Sequence, residues 1–456
     1  MAVSINRVVK NKVSMSRPPV DKVDFGKALV FSDEYYFDDG TITAEVSKAE
    51  QLIELNIKDV NGQTLKSTDT LYKSVRQLTS KDELRFVLGL RHKDDSATNS
   101  TEIYFIQTTG ADFDGINFSC EVSINSDTAQ VIDATGVSGD NNLKILEQFL
   151  DKIKTADTEN KLVAEIKSDK LFISPADISD TLTVISKLNT EVVQASERST
   201  RTDISTMLNR ILKEKAAYIV LSPTRDIQKV KDIAETLKGK KLGYFTASDD
   251  KEIINRPASS ANDIMHFFSS KNTPRIGVMY SSKSDEYPEF CWVAERIGYP
   301  PSSVKWAYSP CGDIVPDDLN ETQLQNIIDK KGNCYLSIAG RDLIMGGGVF
   351  ADGTFIDLQI GMDWQEEEVT KTIFSELTKK EKRDFDDQGI TYMGEILRGA
   401  LEKGKKYFSH SYEIILPKES DFTPDERATR NLKGIRWLVR AKSGFQTAEL
   451  HGELGT

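Results

Sequence analysis

Three consecutive glycines, Gly346-Gly347-Gly348, and two aspartate-rich turns are the stretches of this sequence whose residue types and spacing could do chemistry. A glycine run supplies backbone freedom that no other residue gives. It can cradle a phosphate when a strand precedes it and a helix follows at once. Here Asp342 to Met345 reads as a strand, but a β-type run, Thr354 to Ile360, follows, and there is no Gly-Lys-Ser/Thr. The glycines therefore read as a tight connection within a strand pair that aims the next helix. Asp59-x-Asn61-Gly62 and Asp112-x-Asp114-Gly115 suggest calcium. An EF-hand loop wants glycine at its sixth position and Glu at its twelfth. Both turns put glycine at the fourth, so plain turns and no metal are expected.

His92, His266, His410 and His451 stand far apart, outside any His-x-x-x-His or Gly-x-Ser-x-Gly context. His266, beside Phe267 and Phe268, reads as a packing residue. Cys120, Cys291, Cys311 and Cys334 form no Cys-x-x-Cys pair and read as buried free thiols. The polar loops Thr246 to Asp250 and Ser281 to Glu286 hold no nucleophile and base at a diagnostic spacing. No catalytic constellation and no cofactor site is expected.

Those residues must be carried by a chain of 456 residues, enough for two or three domains. Its net charge of -12 argues against nucleic-acid binding, which needs a basic excess to neutralise phosphates. No apolar run approaches the roughly 18 residues that span a bilayer. The first residues, MAVSINRVVKNKVSMSRPP, mix charges among apolar positions, so no signal peptide and a cytoplasmic origin are expected.

From Asp203 onward the pattern alternates helix and strand. Ile204, Met207, Leu208 and Ile211 share one helical face, and Ala216 to Leu221 reads as a buried strand. Ile227, Val230, Ile233 and Leu237 follow at helical spacing, then a strand at Leu242 to Thr246. Further strands are read at Arg275 to Tyr280, Val304 to Tyr308 and Cys334 to Ile338. Alternation of this kind implies crossover units and a largely parallel sheet with helices on its faces. The loop after the first of these strands, Ser222 to Asp226, holds no glycine, so the dinucleotide fingerprint is absent. Asp363 and Glu366 read as a capping pair opening a helix, and Tyr392 to Leu401 as a second helix.

The region 33–200 has another texture: short strands, a hairpin signal after Leu52 to Ile57, and one amphipathic helix at 143–153. Both ends read as strands. Val3, Ile5 and Val8 alternate before Arg17-Pro18-Pro19, and Ile435, Trp437 and Val439 alternate before a second run containing Phe445 and Leu450. The expected architecture is an α/β core, a largely parallel sheet with helices extended by antiparallel strands. A separate, strand-rich α+β domain and β-strand arms at both termini complete it. The boundaries are 1–20 for the N-terminal arm, 33–200 for the strand-rich domain, 203–430 with strand 25–32 for the core, and 431–456 for the C-terminal arm.

An ordered series of motifs resembles the contractile-tail sheath proteins of myovirus-type bacteriophages. Glu286-Tyr287-Pro288 precedes Cys291-Trp292, then come Val304-Lys305-Trp306, Leu319-Asn320-Glu321-Thr322-Gln323 and Lys331-Gly332-Asn333-Cys334-Tyr335. Gly353-Thr354-Phe355-Ile356-Asp357, Gly361-Met362-Asp363-Trp364, Gln388-Gly389-Ile390 and Arg427-Ala428-Thr429-Arg430 complete the order. The resemblance covers the N-terminal strand and roughly 204–454, and little of 33–197. It implies a non-enzymatic virion subunit, assembled in the host cytoplasm, that polymerises around a tail tube and contracts to drive the tube through the host envelope. It implies contacts with itself, the tail tube protein, and the baseplate and tail terminator proteins, without nucleic acid or membrane insertion. The 33–200 domain would face outward, and the strands carrying Val3, Ile5, Val8, Ile435, Trp437, Val439, Phe445 and Leu450 would join neighbouring subunits. The alternatives are an α/β enzyme acting through the two polar loops and a monomeric phage surface or adhesion protein.

Overall fold

Strong apolar alternation makes a central sheet whose two faces bury different side chains. The computed structural model describes residues 24–60, 62–79, 86–93, 95, 101–105, 113–124, 128–157, 161–167, 170–175, 182–186, 195–199, 204–379 and 383–442. The chain opens with β1 (Ala28–Phe37), β2 (Thr43–Val46), α1 (Gln51–Glu54), β3 (Ile57–Asp59), α2 (Thr70–Leu78) and β4 (Phe86–Arg91). A strand-rich stretch follows: β5 (Thr101–Phe105), β6 (Asn117–Ile124), β7 (Gln130–Thr135), α3 (Asn142–Ala156), β8 (Leu162–Lys167), β9 (Lys170–Pro175), β10 (Leu182–Ser186) and β11 (Ala195–Ser199).

Then come α4 (Ile204–Glu214), β12 (Ile219–Leu221), α5 (Ile227–Leu237), β13 (Gly243–Ser248), α6 (Glu252–Asn255), α7 (Ile264–Ser270), β14 (Ile276–Tyr280) and α8 (Pro288–Ile297). The last part holds α9 (Glu321–Asp329), β15 (Asn333–Ile338), β16 (Arg341–Met345), α10 (Ile356–Leu377), α11 (Asp387–Lys405), β17 (Ser409–Ile415), α12 (Pro424–Ala428) and β18 (Arg436–Ala441).

Nine strands form the main sheet in the order β16-β15-β14-β13-β12-β1-β4-β2, with β3 paired to β1. The run from β15 through β4 is parallel, and β16, β2 and β3 add antiparallel edges. Alternate residues face alternate layers. Val30, Leu88, Leu221, Phe245 and Met279 meet α2 and α8 on one side. Leu29, Val87, Val220, Tyr244 and Val278 meet α4, α5 and α7 on the other. Burying a side chain of this size stabilises by about 1.5–3 kcal/mol, so the two layers together hold the sheet.

Strands β2, β3 and β4, which fall within the stretch read as strand-rich, pair into this sheet. The pattern was ambiguous there because β2 and β3 are only four and three residues long. The remaining strands make a three-stranded sheet, β10-β6-β7, and a four-stranded one, β11-β5-β9-β8. They share a core of Phe118, Val122, Ile132, Phe149, Ile153 and Ile173.

Three local expectations are corrected. Leu52 to Ile57, read as the first arm of a hairpin, begins in the helical turn α1, and only Ile57 enters β3. Residues 304–308 form no strand: Ser302 and Tyr308 take φ of +63° and +56°, which break an extended run. Asp425 to Arg430 overlaps the short helix α12, capped by Thr423, ahead of strand β18. Most consequentially, Thr354 to Ile360 is not a strand: Phe355 makes one isolated bridge to Val349 before the helix begins. Ile356 and Ile360 are four apart, both are buried, and α10 starts at Ile356, its first amide bonded to the Gly348 carbonyl at 3.0 Å.

Candidate assembly surface

The C-terminal hairpin is an amphipathic ribbon. β17 and β18 pair antiparallel, with Tyr412 opposite Val439, Glu413 opposite Leu438 and Ile414 opposite Trp437. Because side chains alternate across a strand, Tyr412, Ile414, Trp437 and Val439 point one way. With Ile435 they pack on Val369, Leu397, Ala400 and Leu401 of α10 and α11. The other face presents Glu413, Ile415, Arg436, Leu438 and Arg440 to solvent, Leu438 at 56% and Ile415 at 42% exposure. Among the described residues neither outer edge of this two-stranded sheet is paired. Such an edge offers unpaired N–H and C=O groups to an incoming strand.

Helices α10 and α11 carry the ribbon. Asp386 caps α11 by accepting from the Gly389 amide at 2.7 Å. Gln365 of α10, fully buried, donates to the Ala400 carbonyl of α11 at 3.1 Å. The other end of α10 is tied to the sheet by charge. Asp363, 1% exposed, accepts from Arg275 Nε at 2.8 Å and from a terminal guanidinium nitrogen at 2.6 Å. It also accepts from Tyr218 Oη at 2.8 Å and Gln359 Nε2 at 3.0 Å. Near the same end of the sheet Glu366 pairs with Lys241 at 2.6 Å. Burial works against the Arg275 charge, yet hydrogen bonding and attraction to Asp363 hold its pKa above the ordinary arginine value. Burial and the Asp363 charge both push the Tyr218 phenol up. Tyr218, Lys241 and Arg275 stand just ahead of β12, β13 and β14, three adjacent parallel strands.

The expected capping role of Asp363 and Glu366 is therefore corrected: both lie inside α10, whose N-cap is Phe355. Gln359, Asp363 and Glu367 continue the helical spacing of Ile356 and Ile360. A polar residue on a buried stripe demands a partner. That was the available signal, but nothing in the sequence pointed to Tyr218, Lys241 or Arg275 as the partners. Gly346, Gly347 and Gly348 all take positive φ, at 95°, 94° and 65°. A Cβ on Gly346 would lie 2.2 Å from the Gly332 carbonyl oxygen, and one on Gly348 2.5 Å from the Ala307 amide nitrogen. They lead from β16 to α10, while the β15–β16 turn itself uses Ala339 and Gly340. Trp437 and Val439 lie in β18 of the in-chain hairpin, and Ile435 stands just ahead of it. Val3, Ile5, Val8, Phe445 and Leu450 lie outside the described residues.

The sheet's topological switch lies between β1 and β12, where ligands bind in other doubly wound sheets. Here Lys229 meets Asp33 at 3.1 Å and Glu34 at 2.9 Å. Arg225 meets the fully buried Glu289 at 2.7 Å and lies over the Tyr287 ring. Burial raises the Glu289 pKa, with Arg225 opposing. In the polar loops, Ser248 accepts from the Asp250 amide, Ser281 from the Lys283 amide, and Asp317 from the Ser282 amide. Asp59 accepts from the Gln63 amide at 2.8 Å, closing its turn. Among the described residues no group of three or more His, Cys, Asp or Glu could hold a metal ion, and no helix is long and apolar enough to cross a membrane.

No family model matches this chain, and no curated protein does. Solved structures do match. One is a chain of the cryo-EM structure of the anti-feeding prophage (AFP) baseplate, 6-fold symmetrised, at a TM-score of 0.42 and 13% identity. The match covers 55% of this chain and 73% of that one. A similarity this weak establishes neither a common fold nor a common role.

Proposed function

We propose that the chain is a structural, non-catalytic subunit of a phage contractile tail sheath, polymerising around a tail tube and contracting to drive the tube through the host envelope. The observation that carries this reading is the hairpin β17–β18. Among the described residues no further strand pairs with it, and it has an exposed face with Leu438 and Ile415 and a partly buried face held on two helices. The ordered motif series resembling sheath proteins supports it.

On this reading a strand from a neighbouring copy, drawn from the segments with Val3, Ile5 and Val8 or with Phe445 and Leu450, adds to an open edge. Each main-chain hydrogen bond contributes about 1 kcal/mol net. Specificity then comes from the alternating side chains rather than from the backbone. Head-to-tail joining of identical copies generates open helical arrays, and contraction is a rotation of rigid bodies about their strand links. The tail tube, baseplate and terminator proteins would be the other partners, and the virion the location.

Deleting residues 1–16 tests the arm assignment. The truncated chain should keep its unfolding midpoint and remain monomeric in sedimentation velocity. Sheath-like tubes from the truncated chain would show the assignment to be wrong.

A further inference from the structure

We infer that Arg275, Lys241, Asp363 and Glu366 form a latch that sets the orientation in which α10 presents the hairpin to its neighbours. The inference rests on the reading of the hairpin as an assembly surface and adds the residues that aim it.

Helix α10 has three parts. Ile356 and Ile360 are anchored in the apolar layer under the sheet. Asp363 and Glu366 come next, at the sheet's end. Val369 and Ile373 then face α11 and the hairpin. Between the anchored turn and the hairpin-bearing part, polar side chains tie the helix to the sheet. Asp363 grips the strand starts on either side of β13 through Tyr218 and Arg275, and Glu366 grips the start of β13 through Lys241.

Two features argue that this link is built for geometry. An apolar filling of the same space is often as stabilising as a buried ion pair or more so, whereas a two-pronged guanidinium–carboxylate contact fixes direction and distance. Arg275 also takes φ of +60°, a left-handed conformation that a non-glycine residue holds only when its surroundings impose it. Such strain at the residue that grips Asp363 marks a position where aim outweighs local comfort.

The test uses the full-length protein with Lys241→Glu, Glu366→Lys and the charge-swapped double variant. Glu366→Gln, nearly the same size, covers the case in which a reversed charge prevents folding. Hydrogen exchange of the unassembled protein and the helical pitch of assembled tubes are the two readouts. Each single variant should leave exchange in β12–β14 unchanged. It should speed exchange in α10 beyond Glu366 and in β17–β18 by about tenfold, and abolish tubes or change their pitch. The double variant should restore both. Single variants with unchanged hairpin exchange and native tubes would overturn the latch, as would a double variant that stays loosened. If the unsubstituted chain forms no tubes, the assembly reading fails, while the exchange data still decide whether the pair holds the hairpin.

Discussion

Replacing Asp363 with Asn separates two accounts of α10 with one atom. If Asp363 capped the helix, Asn would serve about equally well and the change would fall within about 0.5 kcal/mol. In the structure Asp363 is 1% exposed and takes four hydrogen bonds, two from a guanidinium that is itself buried. Asn keeps one acceptor and the shape but removes the charge that Arg275 was buried against. Breaking a buried pair from one side costs about 3–5 kcal/mol, chiefly because the other charge is left stranded. The surviving acceptor places the expectation near the lower end, about 3 kcal/mol. Urea unfolding of the unassembled protein, followed by tryptophan fluorescence, measures it: Trp292 and Trp306 report the sheet core and Trp437 the hairpin. Converting both partners, Arg275→Met with Asp363→Leu, should recover part of the loss, since no charge is then stranded while the buried Tyr218 and Gln359 donors lose their acceptor. A loss below about 1 kcal/mol for the Asn variant would refute the reasoning.

Two glycine substitutions should move in opposite directions. Gly348→Ala puts a Cβ 2.5 Å from the Ala307 amide at φ of +65° and should destabilise by more than about 1 kcal/mol. Gly399→Ala, in an exposed interior position of α11 with nothing within 4 Å, should stabilise by about 0.5–1 kcal/mol. Thermal melts of both variants decide this. The buried Glu289 makes a pH prediction. Its raised pKa means that the folded state binds more protons than the unfolded state above the ordinary carboxylate value, so its contribution to stability falls as pH rises through that window. Glu289→Gln should flatten that part of the curve of unfolding midpoint against pH, and an unchanged slope would show that Glu289 does not titrate with folding.

Long, strongly periodic stretches were legible before the structure. The α4 face of Ile204, Met207, Leu208 and Ile211 is buried as its spacing predicts, and the alternation from Asp203 onward does build parallel strands with covering helices. Short segments were not. Thr354 to Ile360 contains apolar and β-branched types that suit a strand, and only the burial of both Ile356 and Ile360 makes it a helix. The membership of β2, β3 and β4 in the main sheet depends on β3 and β4 pairing with β1 and on β2 pairing with β4, which local pattern does not carry. The network around Asp363 was least legible of all. Its members lie 88 residues apart for Arg275 and 145 for Tyr218, so tertiary packing alone brings them together.

The central claim is that copies of this chain assemble through the hairpin. Negative-stain microscopy of the purified protein beside its Leu438→Glu variant tests that claim most directly. Leu438 is 56% exposed, so the substitution should leave the folded subunit intact. The unsubstituted protein should form striated tubes or rings, and the variant should stay dispersed at the same unfolding midpoint. Dispersed particles from the unsubstituted protein, or tubes of equal abundance from the variant, would contradict the account.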